Sequence, residues 1–491
     1  MKILFVYPEY PDTFWSFKHA LKFVSKKAAF PPLGALTVAA MLPAEWEKRL
    51  VDMNVRRLTD GDIRWADYVF ISAMVVQRDS VKEVIARCNQ LGAKVVAGGP
   101  LFTSEYFDFD GVDHFVLGEA ETTLKPFLQD LDKGCAKHVY TSSEWPDLSL
   151  TPVPMWSLIN MRHYSSMNVQ YSRGCPFDCE FCDIVLLNGH RPRTKDKAQL
   201  IAEMEAVYAH GWRGPVFVVD DNFIGNKKKL KAEILPAIIE WRSGKKRAPV
   251  LLAEVSVNIA DDEELMRLMV EAGFDTVFVG IETPNEDSLA ECAKSQNRNR
   301  DLVASVKKIQ RRGMEVQAGF IVGFDSDPPS IFKSQIEFIQ RSGIVTAMVG
   351  LLNAPTGTRL YKRLKEENRL LTSFTGNNTD CSLNFVPKMN SETLISGYKN
   401  IVSTIYSPRQ FYERIKIFLR EYQPRQGGNL QSHHVKAAFR SLWFLGVREK
   451  GREHYWKLFM STLFKSPRKF PRFMSLSIYG YHFRKVAASQ R

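Results

Sequence analysis

The chain has no apolar run that approaches the ~20 residues of a membrane-spanning helix. Its first residues, Met1 to Pro8, form a short apolar stretch cut off by proline, too brief for a signal peptide. Cysteine is scarce: seven in 491 residues, an odd number at irregular spacing, which excludes the disulfide framework of a secreted scaffold. There is no internal repeat and no long low-complexity segment. Negative charge is nearly missing from the last fifth of the chain, where Ser391 to Arg491 hold 5 Asp and Glu against 19 Lys and Arg; the residues before them hold 49 and 48. The net charge of +13 therefore sits at one end, the mark of a surface that meets phosphates of lipid headgroups or of nucleic acid. An apolar fraction of 45% suffices for full cores, and the length suggests roughly three domains. Together these features predict a reduced, cytoplasmic, multidomain enzyme.

Three of the scarce cysteines fall in one loop, Tyr171-Ser-Arg-Gly-Cys-Pro-Phe-Asp-Cys-Glu-Phe-Cys182. Cys175, Cys179 and Cys182 are spaced C-x3-C-x2-C, which offers three thiolates and withholds a fourth. A structural zinc site needs four closed ligands, commonly two C-x2-C pairs, and no second pair exists here. An iron–sulfur cube held by three thiolates keeps one iron open for a non-protein ligand. Cys88, Cys135, Cys292 and Cys381 stand singly and read as ordinary core or surface residues.

With Phe181 just before its last cysteine, the loop resembles the signature of the radical S-adenosylmethionine enzymes. The resemblance implies a 4Fe–4S cluster on Cys175, Cys179 and Cys182 whose open iron chelates S-adenosylmethionine and cleaves it to a 5′-deoxyadenosyl radical. It also implies an electron donor such as flavodoxin or ferredoxin.

Residues 1–145 alternate strands and helices: strands at Lys2–Tyr7, Arg49–Asp52, Tyr68–Ser72, Lys94–Ala97 and His114–Leu117, helices at Leu33–Met41 and Val81–Leu91. Such alternation predicts a doubly wound, Rossmann-like parallel sheet that binds ligands at the carboxyl ends of its strands. The segment resembles the cobalamin-binding domain that precedes many radical enzymes, through Phe30-Pro31-Pro32-Leu33-Gly34, Ile71-Ser72-Ala73-Met74, Ala97-Gly98-Gly99-Pro100 and Val116-Leu117-Gly118-Glu119-Ala120-Glu121. It implies cobalamin contacts at Ser72, Gly98, Gly99, Gly118 and Glu119. The D-x-H-x-x-G motif, whose histidine ligates cobalt in other cobalamin proteins, is absent; after the second strand the chain reads Val51-Asp52-Met53-Asn54-Val55.

Residues 160–370 predict a partial (β/α)6 barrel, with strands at Asn168–Ser172, Val216–Val219, Val250–Glu254, Thr276–Val279, Val316–Ile321 and Thr346–Leu351. Helices are expected at Lys197–Ala209, Lys228–Trp241, Asp262–Ala272, Asp301–Arg312 and Ile331–Ser342. Polar residues at the strand ends match positions where the family binds S-adenosylmethionine: Asp221 and Asn222, in place of the usual Gly-Gly-Glu, then Glu254, Ser256 and Asn258, and Gly280-Ile281-Glu282. A carboxylate suits an ammonium group because a charge-assisted hydrogen bond is about twice as strong as a neutral one. Gly319 and Gly323, in Gly319-Phe-Ile-Val-Gly-Phe-Asp325, resemble the family motif beside the adenine, and Asn353-Ala-Pro-Thr-Gly-Thr358 follows the sixth strand. Tyr171, Asp183 and His190 are acid–base candidates only by their nearness to the cysteines.

Residues 371–491 predict a mainly helical basic domain, with Ser391–Glu421 helical and Leu442–Tyr481 dense in aromatics interleaved with Lys and Arg. That composition suits a peripheral contact with an anionic membrane or single-stranded RNA; a helical cover with a solvated basic face has it too. The whole chain resembles cobalamin-binding radical enzymes with a helical extension, among them hopanoid methylases. The resemblance implies methylation of an unactivated carbon on a hydrophobic lipid, isoprenoid or natural-product substrate. Radical carbon-skeleton or oxidation chemistry without methylation, and tRNA modification, are the alternatives; nucleic acid is disfavoured because the tail carries no RNA-binding motif.

Overall fold

The computed structural model describes residues 1–424 and 432–489. In the front of the chain, β1 (Lys2–Tyr7), β2 (Glu47–Asp52), β3 (Tyr68–Ser72), β4 (Lys94–Gly98), β5 (His114–Val116) and β6 (Val139–Tyr140) form a parallel sheet in the order β2-β1-β3-β4-β5-β6. The order reverses at β1, which opens a crevice beyond the carboxyl ends of β1 and β3. Both faces are covered: Leu4, Val6, Val69, Ile71 and Val95 pack on one side, Ile3, Phe5, Phe70 and Val96 on the other. Strands buried on both faces read as unbroken apolar runs, as Ile3–Val6 and Tyr68–Ile71 do. β6, with two residues, is too short to leave a sequence pattern.

The centre begins with β7 (Met167–Val169), followed by β8 (Ser172–Arg173) and β9 (Arg193–Thr194), an antiparallel pair. β10 (Val216–Val218), β11 (Leu251–Val255), β12 (Phe274–Glu282), β13 (Glu315–Val322) and β14 (Ala347–Leu351) then join β7 in a parallel sheet of strictly sequential order. Helices intervene between successive strands, the arrangement of a partial (β/α)6 barrel. The strand expected at Asn168–Ser172 is split into β7 and β8, because the N–H of Tyr171 donates to Asp220 Oδ1 at 2.8 Å instead of joining the sheet. The helix expected at Lys228–Trp241 runs from Lys227 to Ser243 through a π turn at Leu230–Ile234, just before Pro236, which has no N–H to give.

Residues beyond the barrel form helices at Ser391–Ile405, Pro408–Glu421, Ser432–Trp443, Arg452–Lys465 and Phe470–Ser489. The expected helical stretch Ser391–Glu421 divides at Ser407, with Pro408 opening the second helix. Part of the expected 371–491 domain, residues 425–431, 490 and 491, lies outside the described residues. Tyr398, Phe411, Tyr455 and Phe473 are buried in one core continuous with the central sheet. Two arginines of the basic tail are internal as well. Arg414 donates to Gln340 Oε1 (2.6 Å) and the carbonyl of Ile405 (2.8 Å), and Arg472 pairs with Glu315 (2.8 Å) and Asp275 (2.7 Å). No described helix is long and apolar enough to cross a membrane.

Candidate functional site

The cysteine loop is pinched at Gly174, whose φ is +99° and where a Cβ would lie 2.8–2.9 Å from the carbonyl oxygens of Arg191, Gly189 and Asn188. Only glycine tolerates that approach. Backbone bonds shape the loop: Cys175 N to the carbonyl of Gly189 (3.2 Å), Cys182 N to that of Cys179 (3.1 Å) and Glu180 N to that of Cys292 (2.9 Å). Cys179 is buried, and Cys175 and Cys182 are half-buried. Phe181 packs on the apolar cluster of Phe324 and Leu352 that also buries Cys292.

Burial raises all three thiols above the ordinary cysteine range, Cys182 by a wide margin, while the ammonium of Lys294 pulls each back down. Thiols in this state ionise when a metal takes the proton's place, and Lys294 then balances part of the thiolate charge. The donor set therefore fits an iron–sulfur cluster with a cation beside it.

Around the loop lie the polar ends of the central strands. Asp220, buried just past β10, accepts from Tyr171 N (2.8 Å) and Ser172 Oγ (2.5 Å), and burial pushes its carboxyl up to about 7 against those bonds. Asp221 Oδ2 accepts from Gly174 N (3.2 Å) and Asn188 Nδ2 (3.0 Å), tying both ends of the loop together. Asn222 Oδ1 accepts from Ser256 N at 3.2 Å, and Ser256 Oγ donates to Asn258 Oδ1 at 2.8 Å. Asn222, Ser256 and Asn258 line a cavity of about 330 Å³ with Pro176, Phe177 and Lys227. The side chain of Glu254, half-buried on β11, has no hydrogen bond or ion pair among the described residues; burial, then Asp221 and Asp220, push its carboxyl up to about 8.

Glu282 closes β12 with a φ of +63°, where the register with β13 is irregular. Its Oε1 accepts from Lys294 Nζ at 2.6 Å, both side chains nearly buried. The pair folds back over Gly280, where a Cβ would stand 2.7 Å from Lys294 Nζ, so a larger residue there would make the two flexible side-chain ends shift. Asn297 Nδ2 donates to the carbonyls of Gly280 and Ile281, both at 2.9 Å, and Gln296 Nε2 reaches Cys179 Sγ at 4.0 Å. Lys294 was missed by sequence reasoning: it follows β12 by 12 residues in an ordinary polar segment, and only the fold brings it to Glu282.

Other expected site residues are placed differently. The space beside Gly323 (φ +109°) is taken by Leu394, 3.0 Å from a hypothetical Cβ, and its N–H donates to Asp327 Oδ2 at 2.8 Å. The space beside Gly319 is bounded by Phe278 and Met348. Both glycines lie against neighbouring side chains, and the positive φ of Gly323 itself favours glycine. His190 is exposed, and Asp183 stands at the start of the helix Ile184–Asn188.

In the front crevice, Ser72 and Gly99 (φ +92°) adjoin at the ends of β3 and β4, and Gly118 (φ +73°) is exposed with no atom within 4 Å of a hypothetical Cβ. That open ledge fits a flat corrin. At Gly98 a Cβ would lie 2.7 Å from the carbonyl of Val116 on the next strand. The Glu119 carboxylate is engaged in ion pairs. It pairs with Arg173 and Arg193, each at 2.5 Å, while Glu121 takes Arg173 at 2.9 Å, so these acids latch the front domain to the β8–β9 pair that frames the cysteine loop. Tyr164 OH donates to buried Asp52 at 2.9 Å, a second latch.

The sequence matches the B12 binding domain over residues 24–128, the Radical SAM superfamily over 169–339 and a domain of unknown function, DUF4070, over 358–491. It is 40% identical over 490 residues to an uncharacterized methyltransferase, sll1242, of Synechocystis sp., covering 98% of this chain and 91% of that one. It is 33% identical over 478 residues to the hopanoid C-2 methylase of Rhodopseudomonas palustris, covering 94% and 90%. The chain belongs to the cobalamin-binding radical S-adenosylmethionine methyltransferases. Its fold is also that of the methyltransferase TsrM from Kitasatospora setae, solved with cobalamin and a 4Fe–4S cluster, at a TM-score of 0.64, 14% identity and 99% coverage of both chains. Membership makes this an enzyme that uses a 4Fe–4S cluster, S-adenosylmethionine and cobalamin.

Proposed function

We propose that this enzyme methylates an unactivated carbon of a polycyclic or isoprenoid lipid drawn from a membrane surface. The observation that carries the reading is the inner wall of the central sheet. Phe278, Gly280 and Glu282 alternate along β12, so the polar strand end passes into an apolar floor. There Trp15, reaching over from the front domain, donates its Nε1–H to Met348 Sδ at 3.0 Å and meets Phe278 edge-on at 5.2 Å. An apolar floor beneath a polar rim suits a hydrocarbon skeleton, and radical chemistry needs such a site closed to water. The 33% identity with a hopanoid C-2 methylase over nearly the whole chain supports the same substrate class.

On this reading residues 1–145 hold cobalamin, 160–370 the cluster and S-adenosylmethionine, and 371–491 the membrane contact. Cys175, Cys179 and Cys182 hold the cluster; Asn222, Ser256 and Asn258 border the S-adenosylmethionine cavity, and Glu254, two residues before Ser256, offers an unpartnered carboxyl. When bound, the cluster and S-adenosylmethionine supply the hydrogen-abstracting radical and cobalamin the methyl group. An electron donor of the flavodoxin or ferredoxin class provides the reducing equivalents. The membrane surface is formed by exposed apolar residues on basic helices: Phe439 (70% exposed), Trp443 (56%) and Val447 at four-residue steps, and Met460 and Phe464 (77%) on the next helix.

The test is anaerobic incubation of the cofactor-loaded enzyme with S-adenosylmethionine, dithionite and membrane lipid extract. 5′-Deoxyadenosine, S-adenosylhomocysteine and a lipid product heavier by one methylene unit should form together and vanish in Cys175→Ala. 5′-Deoxyadenosine without S-adenosylhomocysteine would point to non-methylating chemistry. Failure to sediment with anionic liposomes would remove the membrane contact.

A further inference from the structure

We propose that Asp12, His19 and His482 form a binding site for a divalent transition-metal ion, zinc in the first instance, that clamps the amino-terminal segment to the last helix. One donor atom from each of the three lies within 4.8 Å of the other two. The set contains no cysteine and shares no residue with the cofactor machinery.

His482 makes the strongest case. It is fully buried in the helix Phe470–Ser489, and its Nε2 lies 3.0 Å from the carbonyl oxygen of Phe14. A carbonyl only accepts, so Nε2 carries the proton and Nδ1 presents a lone pair. That Nδ1 is buried and has no hydrogen-bond partner. A buried unmatched acceptor is costly and calls for an explanation, and a histidine whose other ring N–H is held by a backbone carbonyl is the usual arrangement of a metal ligand.

The other two ligands are equally prepared. Asp12 accepts from Ser16 Oγ with Oδ1 (3.2 Å) and turns Oδ2 toward His19 Nε2, 2.8 Å away. Thr13 and Ser16 form a capping box around the turn Phe14–Ser16, and Phe17 (φ +48°) bends the chain into the helix Lys18–Val24 that carries His19. Phe14 stacks on Phe483 at 4.2 Å, and Phe17 lies 5.5 Å from the His482 ring. Asp12 is exposed and His19 half-buried, so an ion can enter and water can complete a tetrahedral shell. Two imidazoles and one carboxylate favour zinc, cobalt or nickel over magnesium or calcium. Trp15 lies inside the clamped segment, so the ion would also hold the barrel's apolar floor in place.

Full-length protein carrying its cluster and cobalamin, stripped of loosely bound metal by a chelator, would be titrated with zinc by calorimetry and studied by zinc-edge X-ray absorption, to which iron and cobalt do not contribute. The expected result is one zinc per chain with nitrogen and oxygen neighbours, two of them imidazoles, and a zinc-dependent rise in melting temperature. His19→Gln and Asp12→Asn should each weaken binding by roughly tenfold or more and abolish the rise. Because His482 is buried and its variants can misfold, the exposed Asp12 and the half-buried His19 carry the test. Sulfur in the zinc shell, or binding unchanged in both variants, would overturn the site.

Discussion

The two six-stranded parallel sheets of this protein solve the same problem in opposite ways. In the front sheet consecutive residues of β1 and β3 are buried on alternate faces, and the only place left for a ligand is the crevice past the strand ends. In the central sheet β11 reads buried, half-buried, buried along its length, with Leu251, Ala253 and Val255 in the core and Leu252, Glu254 and Ser256 on the open side. The strand order is the cause. A reversal places helices on both faces, whereas sequential order leaves one face free for polar groups far down the strands.

The largest effect is expected where that inner face is most charged. Lys294→Met leaves Glu282 without its partner and should cost on the order of 3–5 kcal/mol in unfolding free energy; the double variant with Glu282→Gln should recover much of it. If neither variant lost stability, the pair would be serving the cofactors alone and not the fold.

A smaller effect separates the two sheets directly. In β3, Val69→Asn and Phe70→Asn point to opposite faces and should each cost about 3 kcal/mol. In β12, Val277→Asn should cost about as much, but its neighbour Phe278→Asn only about 1 kcal/mol, because that side chain is half-buried. Denaturation midpoints of the four variants check this, and equal losses at Val277 and Phe278 would make the inner wall an ordinary core.

The last effect depends on pH. A carboxyl raised to about 8 in the folded state contributes stability that is fully present below its unfolded pKa of about 4.3 and is lost as pH rises through 8. Glu254→Gln should therefore flatten the decline in melting temperature between pH 5 and 8 in cofactor-free protein, yet weaken S-adenosylmethionine binding. Unchanged affinity would leave Glu254 without a ligand role.

Much of the site is legible locally. The three cysteines lie in one loop, so their spacing needs no tertiary information, and Gly280-Ile281-Glu282 is recognisable as a contiguous motif. The same local view is silent on partners that are distant in the chain. Leu394 packs beside Gly323, the carbonyl of Val116 lies beside Gly98, and Glu119 pairs with Arg173 and Arg193. Composition also overstates the basic tail as a surface, since Arg414 and Arg472 turn inward and Tyr455 and Phe473 are core.

The sequence by itself determined the element order, the cofactor family and the cluster loop, because each depends on periodicity or spacing within a few residues. Only the tertiary structure decided which polar groups meet. Lys294 beside Glu282, Asp52 beneath Tyr164 and His482 beside Asp12 are pairings across 12, 112 and 470 residues, respectively. Electrostatics and packing act through space, and local spacing carries no record of which distant residues the folded chain brings into contact.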